Sequence, residues 1–337
     1  MPRQARLDSP GLLHHVIARG IERRSIFYSL TDYVDFLSRI EINHSLYPCQ
    51  IFAWALMPNH FHLLIRSGAQ GIFPFMKRLM TGYAVSFNHR HKRAGHFFQN
   101  RYKSVVCEEN SYLLELVRYI HLNPYRAKIV KNMQELSVFP YTGHSVLLGK
   151  KPCSWQNREE VLSLFSKDSS SGIKGYIRFM MEGENQGARP DLMGGGLIRS
   201  QGGIRAVLSN RQSGAREAYD SRILGSGDFV NDVLRLSEKK TELEYELKRK
   251  GVGITDVAKK IATEEGVEET DLYGRGRTRA ISRAKARLIH IGVEYLGRTN
   301  REMALLTRMS DPSASDARRK GADLFRGKDI RPWLIPN

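Results

Sequence analysis

The sequence predicts an α+β protein whose C-terminal third is all helix, and three observations carry that prediction. In the first 145 residues short apolar runs alternate with stretches of helical period. Between Ser166 and Gly227 that patterning gives way to Ser-Ser-Ser at 169–171, Gly-Gly-Gly at 194–196 and Gly202-Gly203. From Phe229 onward, charged amphipathic helices with recognisable caps follow one another. A chain of 337 residues and 38.5 kDa, 41% hydrophobic, is the size of two compact domains rather than one core. The expected division is a first domain over 1–145, a linker or loosely packed region over 146–228, and a helical domain over 229–330.

Leu13–Ala18, Gln50–Ala55 and Phe61–Ile65 are short apolar runs suited to strands. Between the first two, Thr31–Ser45 places Tyr33, Phe36, Leu37, Ile40 and Ile42 close to helical spacing, and Ile72–Arg90 reads as a second helix. A third spans Ser111–Leu122, opened by Asn110 or Ser111 and closed by Pro124. The order strand, helix, strand, strand, helix gives an antiparallel sheet with helices on one face. Further on, Val230–Lys250, Thr255–Glu265 and Arg279–Leu296 read as helices. Thr299 to Glu302 is a capping box for a helix ending near Met309; after a break at Asp311-Pro312 another helix runs Ser313–Phe325. Helix, short turn, helix is the layout of a major-groove reader.

Lysine and arginine number 53 against 35 acidic residues, a formal charge of +18, which points to a polyanionic partner. No apolar run approaches a membrane span and Met1–Pro10 lacks a signal peptide's core, so a cytoplasmic, nucleoid-associated protein without a membrane partner is expected. Cys49, Cys107 and Cys153 match neither a disulfide framework nor a paired-cysteine zinc site and read as buried thiols. The charge is also unevenly spread: after Glu41 the next acid is Glu108, leaving 66 residues without a carboxylate. Basic and aromatic residues interleave there, the composition of a surface that holds phosphates and stacks bases. Arg66, Lys77, Arg78, Arg101 and Lys103 from this stretch, with Arg19 before it, are the cations expected on a DNA backbone, Tyr102 or Phe98 being a candidate stacking platform. His96 reads either as a support to the site or as a packed core histidine.

Two local features carry chemistry. In Met57-Pro-Asn-His60-Phe61-His62 the alternation of a strand turns His60 and His62 to one face, and two adjacent imidazoles are half a metal site. In Leu116-Val-Arg-Tyr119-Ile-His-Leu-Asn123-Pro124 helical spacing puts Tyr119 and Asn123 on one face, a phenol beside an amide oxygen able to complete a ligand set. A cation so held keeps open positions for a phosphodiester, and the tyrosine oxygen could then attack the phosphorus. Such a transesterification needs no nucleotide cofactor, and the chain carries no Gly-x-x-x-x-Gly-Lys-Ser/Thr loop.

His14-His15-Val-Ile-Ala-Arg-Gly20, Ala55–Ile65, Gly95–Ser104 and Tyr119–Ala127 together resemble, in order, the successive motifs of the REP-associated tyrosine transposases, single-tyrosine HUH enzymes acting on single-stranded DNA. The resemblance implies a ferredoxin-like catalytic domain, with His60 and His62 as metal ligands, Asn123 as the polar residue near the metal and Tyr119 as nucleophile. It also implies Mg2+ or Mn2+, a 5′-phosphotyrosine intermediate, cleavage near palindromic hairpins, and a homodimer as a plausible assembly. Residues 250–325 resemble the C-terminal helix-turn-helix domain of the bacterial replication initiator DnaA. That resemblance implies flanking duplex DNA as a partner, Arg275, Arg277 and Arg279 in a basic loop, and a recognition helix offering Ser313, Ser315, Arg318 and Arg319. Pro312-Ser-Ala-Ser315 departs from the pattern of that helix, so only generic duplex binding carries over. The rival reading is a non-mobile DNA-binding regulator, or a structure-specific endonuclease, that keeps the same fold.

Overall fold

The structure is a computed structural model that describes residues 6–187, 189, 192, 220–325, 328 and 330–334. The glycine clusters at 194–196 and 202–203, read as part of a linker, lie outside the described residues. The chain forms two compact units, Met1–Leu234 and Arg235–Asn337.

The first unit is built on β1 (Leu13–Arg19), α1 (Leu30–Leu46), β2 (Gln50–Met57), β3 (His60–Arg66), α2 (Phe73–Arg90) and β4 (Lys103–Cys107). The sheet order is β2-β3-β1-β4-β5, with β5 a two-residue strand, Ile223–Leu224. The first four strands pair antiparallel, and β5 adds parallel to β4. A βαββαβ chain in this order is the ferredoxin-like arrangement. The strands read as continuous apolar runs because both faces are covered.

On one face Phe36 and Ile40 of α1 and Phe75, Leu79, Tyr83 and Phe87 of α2 pack against Val16, Phe61, Leu63 and Ile65. The expectation of helices on one face alone holds only for this βαββαβ core. Leu13, Leu64, Ala55 and Val105 point the other way and meet Leu116, Val117 and Ile120 of α3 (Glu109–His121). A bulge after Ile51 sends Phe52 to this second face. α3 starts earlier than the sequence suggests, with Glu108 rather than Asn110 or Ser111 at its N-cap and no side-chain cap bond.

Residues 146–187, expected to be linker or loosely packed, are folded against the sheet, Val146 and Trp155 in the first core and Leu147, Val161, Leu162, Tyr176 and Met180 in the second. After α4 (Asn123–Arg126), α5 (Met133–Val138) and α6 (His144–Leu147) come α7 (Arg158–Ser163) and α8 (Ser169–Glu182). Val161, Leu162, Tyr176 and Met180 share the core of α3. Ser169–Ser171 is a first helical turn capped by Asp168, whose carboxylate accepts from the Ser171 amide at 2.7 Å. Polar small residues that look like a linker in sequence are here an N-terminus. Cys49 and Cys107 are buried free thiols and Cys153 is half-buried.

A long helix α9 (Gly227–Arg249) runs across the division between the units, six residues beyond the expected domain start at 229. The second unit continues with α10 (Ile254–Glu265), α11 (Glu269–Leu272), α12 (Arg279–Glu294), α13 (Asn300–Leu306) and α14 (Asp311–Leu324) around Leu247, Val257, Ile261, Leu288, Ile289 and Met303. Asp311-Pro312, expected as a break, is the first turn of α14: Ser310 caps it and Pro312 sits where its missing N–H costs nothing. α12 and α14 cross so closely at Gly321 that a Cβ there would lie 2.1 Å from the Ala286 carbonyl oxygen. Among the described residues no helix is long and apolar enough to cross a membrane.

Candidate active site and nucleic-acid surface

β3 carries His60 and His62 on the face that α3 covers, their ring centroids 5.0 Å apart. Neighbouring β1 presents His15 and Arg19 on the same face, Arg19 in register with His60. α3 lays Tyr119 edge-on over this row, its ring centroid 5.9 Å from that of His62 and 5.8 Å from that of His15. One turn on, where α3 ends and Pro124 opens α4, Asn123 follows Tyr119 into a cleft of about 840 Å³ that His60 and Met57 also line. The Asn123 side-chain nitrogen is buried there without a hydrogen-bond partner among the described residues. The sequence-predicted set, His60, His62, Tyr119 and Asn123, thus converges within a single chain.

Burial governs the charge state of the imidazoles. It pushes His60 down to about 4, with the Arg19 charge adding to the effect, and holds His62 well below the usual histidine range, assisted by His15, His60 and Arg19. Both rings are therefore neutral at pH 7, the form in which imidazole binds a cation. His15 Nε2 lies 2.9 Å from His62 Nδ1, and His15 Nδ1 lies 3.4 Å from the Leu192 carbonyl oxygen. His60 Nδ1 lies 2.6 Å from Asn59 Oδ1.

Sequence reasoning missed Arg126 and His15. The Arg126 guanidinium stands 5.8 Å from the Tyr119 ring centroid and lines the same cleft, with Lys128, Lys131 and Arg189. Positions 119, 123 and 126 are spaced i, i+4, i+7, so the helical pattern that linked the first two would have found it. His15 stands in the sequence as one of two adjacent histidines in a strand, with no local sign of a partner. Its partner is 47 residues away, and only sheet pairing makes them neighbours.

The expected DNA-contacting cations separate into two groups. Arg19 and Lys103 lie by the histidine row: Arg19 lowers the pKa of His60 and His62, and Lys103 that of His15. Lys77 and Arg78 are exposed on α2, and Lys77 and Arg101 line a second cleft of about 770 Å³ between α2 and the 95–102 segment, with no carboxylate in its walls. Arg66 departs from expectation, since its guanidinium is bound by Glu109 and Glu160 and lies over the Phe52 ring. Its acids come from outside the acid-free stretch, which is why the local composition hid them. Tyr102 is buried with Arg6 stacked 3.9 Å from its ring centroid, and Phe98 packs on Phe97 and Phe61, so neither ring is an open platform. His96 is exposed, neither support nor core.

In the second unit Arg275, Arg277 and Arg279 are exposed, as is Ser313. Ser315 Oγ accepts from Asn300 Nδ2 at 3.0 Å. Arg318 is paired with Glu294 and Arg319 with Asp316, so these two guanidinium groups, expected to face DNA, are held by carboxylates of their own unit.

A ferredoxin-like sheet carries paired histidines on one face and is crossed there by a helix that presents a tyrosine and an amide. Residues 9–123 match the sequence profile of the family described as "Transposase IS200 like". Among solved structures, one described as a REP-associated tyrosine transposase bound to a REP hairpin is similar at 19% identity and a TM-score of 0.38, over 47% of this chain and 98% of that chain. No curated protein matches the chain.

Proposed function

We propose that this protein is a divalent-metal-dependent single-tyrosine transposase that nicks and rejoins single-stranded DNA at palindromic hairpins, with Tyr119 as nucleophile. The reading is supported above all by one observation: the Tyr119 ring stands against His62 in a cleft shared with His60 and Asn123. Because all four come from one chain, the reading needs no partner subunit to complete the site.

His60 and His62 through their Nε2 atoms and Asn123 through its side-chain oxygen would hold Mg2+ or Mn2+. Two neutral imidazoles fit that role, and the Asn123 side chain lines the same cleft as His60. Such an ion, when bound, polarises the phosphodiester. A phenol with an ordinary pKa of about 10 is a weak nucleophile at neutral pH, and the Arg126 guanidinium, 5.8 Å from the Tyr119 ring centroid, would offset negative charge that develops in the attack. Tyr119 Oη then bonds to phosphorus and the bond from phosphorus to the 3′ oxygen breaks. The 3′ hydroxyl departs carrying a proton, and the 5′ phosphate stays on the enzyme. Attack by the 3′ hydroxyl of another strand reverses these steps and frees the tyrosine. Arg19 and Lys103, beside the histidine row, position the strand through its phosphates, and the acid-free cleft at Lys77 and Arg101 extends that surface.

The second unit enters as a duplex-docking module through Arg275, Arg277 and Arg279 and the helix pair α13–α14. Tethering it to the catalytic unit raises the effective concentration of the second site once the first is bound.

Tyr119→Phe tests the reading with a labelled hairpin oligonucleotide and Mg2+ or Mn2+. The wild type forms a covalent adduct on a denaturing gel; the variant binds the hairpin and forms none. An adduct that survives the substitution overturns the assignment.

A further inference from the structure

Resting on the metal reading above, we propose that His15 and Asn59 are positioning residues that fix the tautomers of His62 and His60, so that both rings carry their lone pair on Nε2. A neutral imidazole carries one N–H and one lone pair, and only the lone-pair nitrogen binds a cation. Which nitrogen that is follows from the partner of the other one.

Each ring is the end of a hydrogen-bond chain that starts at a backbone carbonyl, a group that only accepts. The Leu192 carbonyl oxygen faces His15 Nδ1 at 3.4 Å, so that nitrogen holds the proton and His15 Nε2 holds the lone pair. His15 Nε2 therefore accepts from His62 Nδ1 at 2.9 Å, leaving the His62 lone pair on Nε2. In the second chain the Arg23 carbonyl oxygen accepts from Asn59 Nδ2 at 3.2 Å, which orients the amide so that Oδ1 faces His60 Nδ1 at 2.6 Å. His60 Nδ1 then donates, and its lone pair too lies on Nε2. The two chains have no residue in common and give the same result. His15 is fully buried with no exposed surface, so water cannot take its place as acceptor.

Nitrogen-15 NMR of the full-length, metal-free protein reads the tautomers, and a titration with Mn2+ alone reads the affinity. In the wild type both rings are expected in the Nδ1–H form. His15→Leu, which removes the acceptor, should shift His62 toward a mixture of tautomers and weaken Mn2+ binding by about 10- to 100-fold. His15→Gln, whose side-chain oxygen can accept the same proton, should restore most of both. Asn59→Asp keeps an acceptor at that position and should leave His60 in the Nδ1–H form. An unchanged His62 tautomer together with unchanged Mn2+ affinity in a folded His15→Leu protein overturns the proposal, as does a wild-type His62 found protonated on Nε2. Wild-type rings in the Nδ1–H form with no Mn2+ binding at all support the tautomer assignment and sink the metal reading, so the two failures are told apart.

Discussion

Tyr176→Phe removes a single oxygen from the part of the chain that looked like linker. Tyr176 has no exposed surface, and its hydroxyl lies 2.8 Å from His121 Nδ1 and 2.6 Å from His144 Nδ1. A hydroxyl has one proton, so it donates to one ring and accepts from the other. Phenylalanine keeps the ring packed in the α3 core but strands two buried imidazole nitrogens, each costing about 1–3 kcal/mol when left without a partner. The first unit should therefore lose about 2–5 kcal/mol, which at an m-value of about 2 kcal/mol/M moves its urea midpoint down by about 1–2.5 M. Tryptophan fluorescence reports it, since Trp54 and Trp155 both lie in that unit's core. Tyr28→Phe, at a residue 53% exposed, serves as the control and should leave the midpoint in place. A loss below about 0.5 kcal/mol for Tyr176→Phe would refute the idea that this hydroxyl satisfies both histidines.

Three further outcomes are expected. Burial pushes His14 down to about 3 and His144 to about 4, so between pH 6.5 and 4 the unfolded chain binds protons that the folded one refuses; urea midpoints should fall as pH falls through that window, by up to about 1.4 kcal/mol per pH unit for each group, and a flat profile would contradict it. Arg66→Met should cost about 1 kcal/mol, because its ion pairs with Glu109 and Glu160 are partly exposed. It should also leave hairpin affinity within about twofold in a filter-binding assay; a tenfold loss would return Arg66 to the DNA surface. Gly321→Ala forces a methyl against the Ala286 carbonyl and the His290 side chain, so the second unit should lose about 1–3 kcal/mol while the first unit's transition stays where it was, as followed by hydrogen exchange.

Much of the site was legible in the sequence because its components are local. His60 and His62 share a face by strand alternation, and Tyr119 and Asn123 share one by helical spacing, and neither relation depends on the rest of the fold. The C-terminal helices were likewise readable from their caps, Thr299 with Glu302 and Ser310 before Asp311-Pro312. What could not be read was the pairing of residues distant in sequence. Composition marked residues 42–107 as an open basic surface, yet Arg66 finds acids 43 and 94 residues further on, and Arg90 finds Asp32 and Asp35 before the stretch begins.

The sequence by itself determined β1–β3, α1–α3, most of the C-terminal helices and which of their side chains share a face, since φ/ψ preference and side-chain period are properties of short segments. Tertiary structure alone decided that α3 crosses the histidine face, that α7 and α8 close over it rather than trailing as linker, and that His15 stands behind His62. Those outcomes depend on burying apolar surface between elements far apart in the chain, where Tyr176 and Met180 meet Val117 and Ile120, and no local pattern encodes which surface a helix will find.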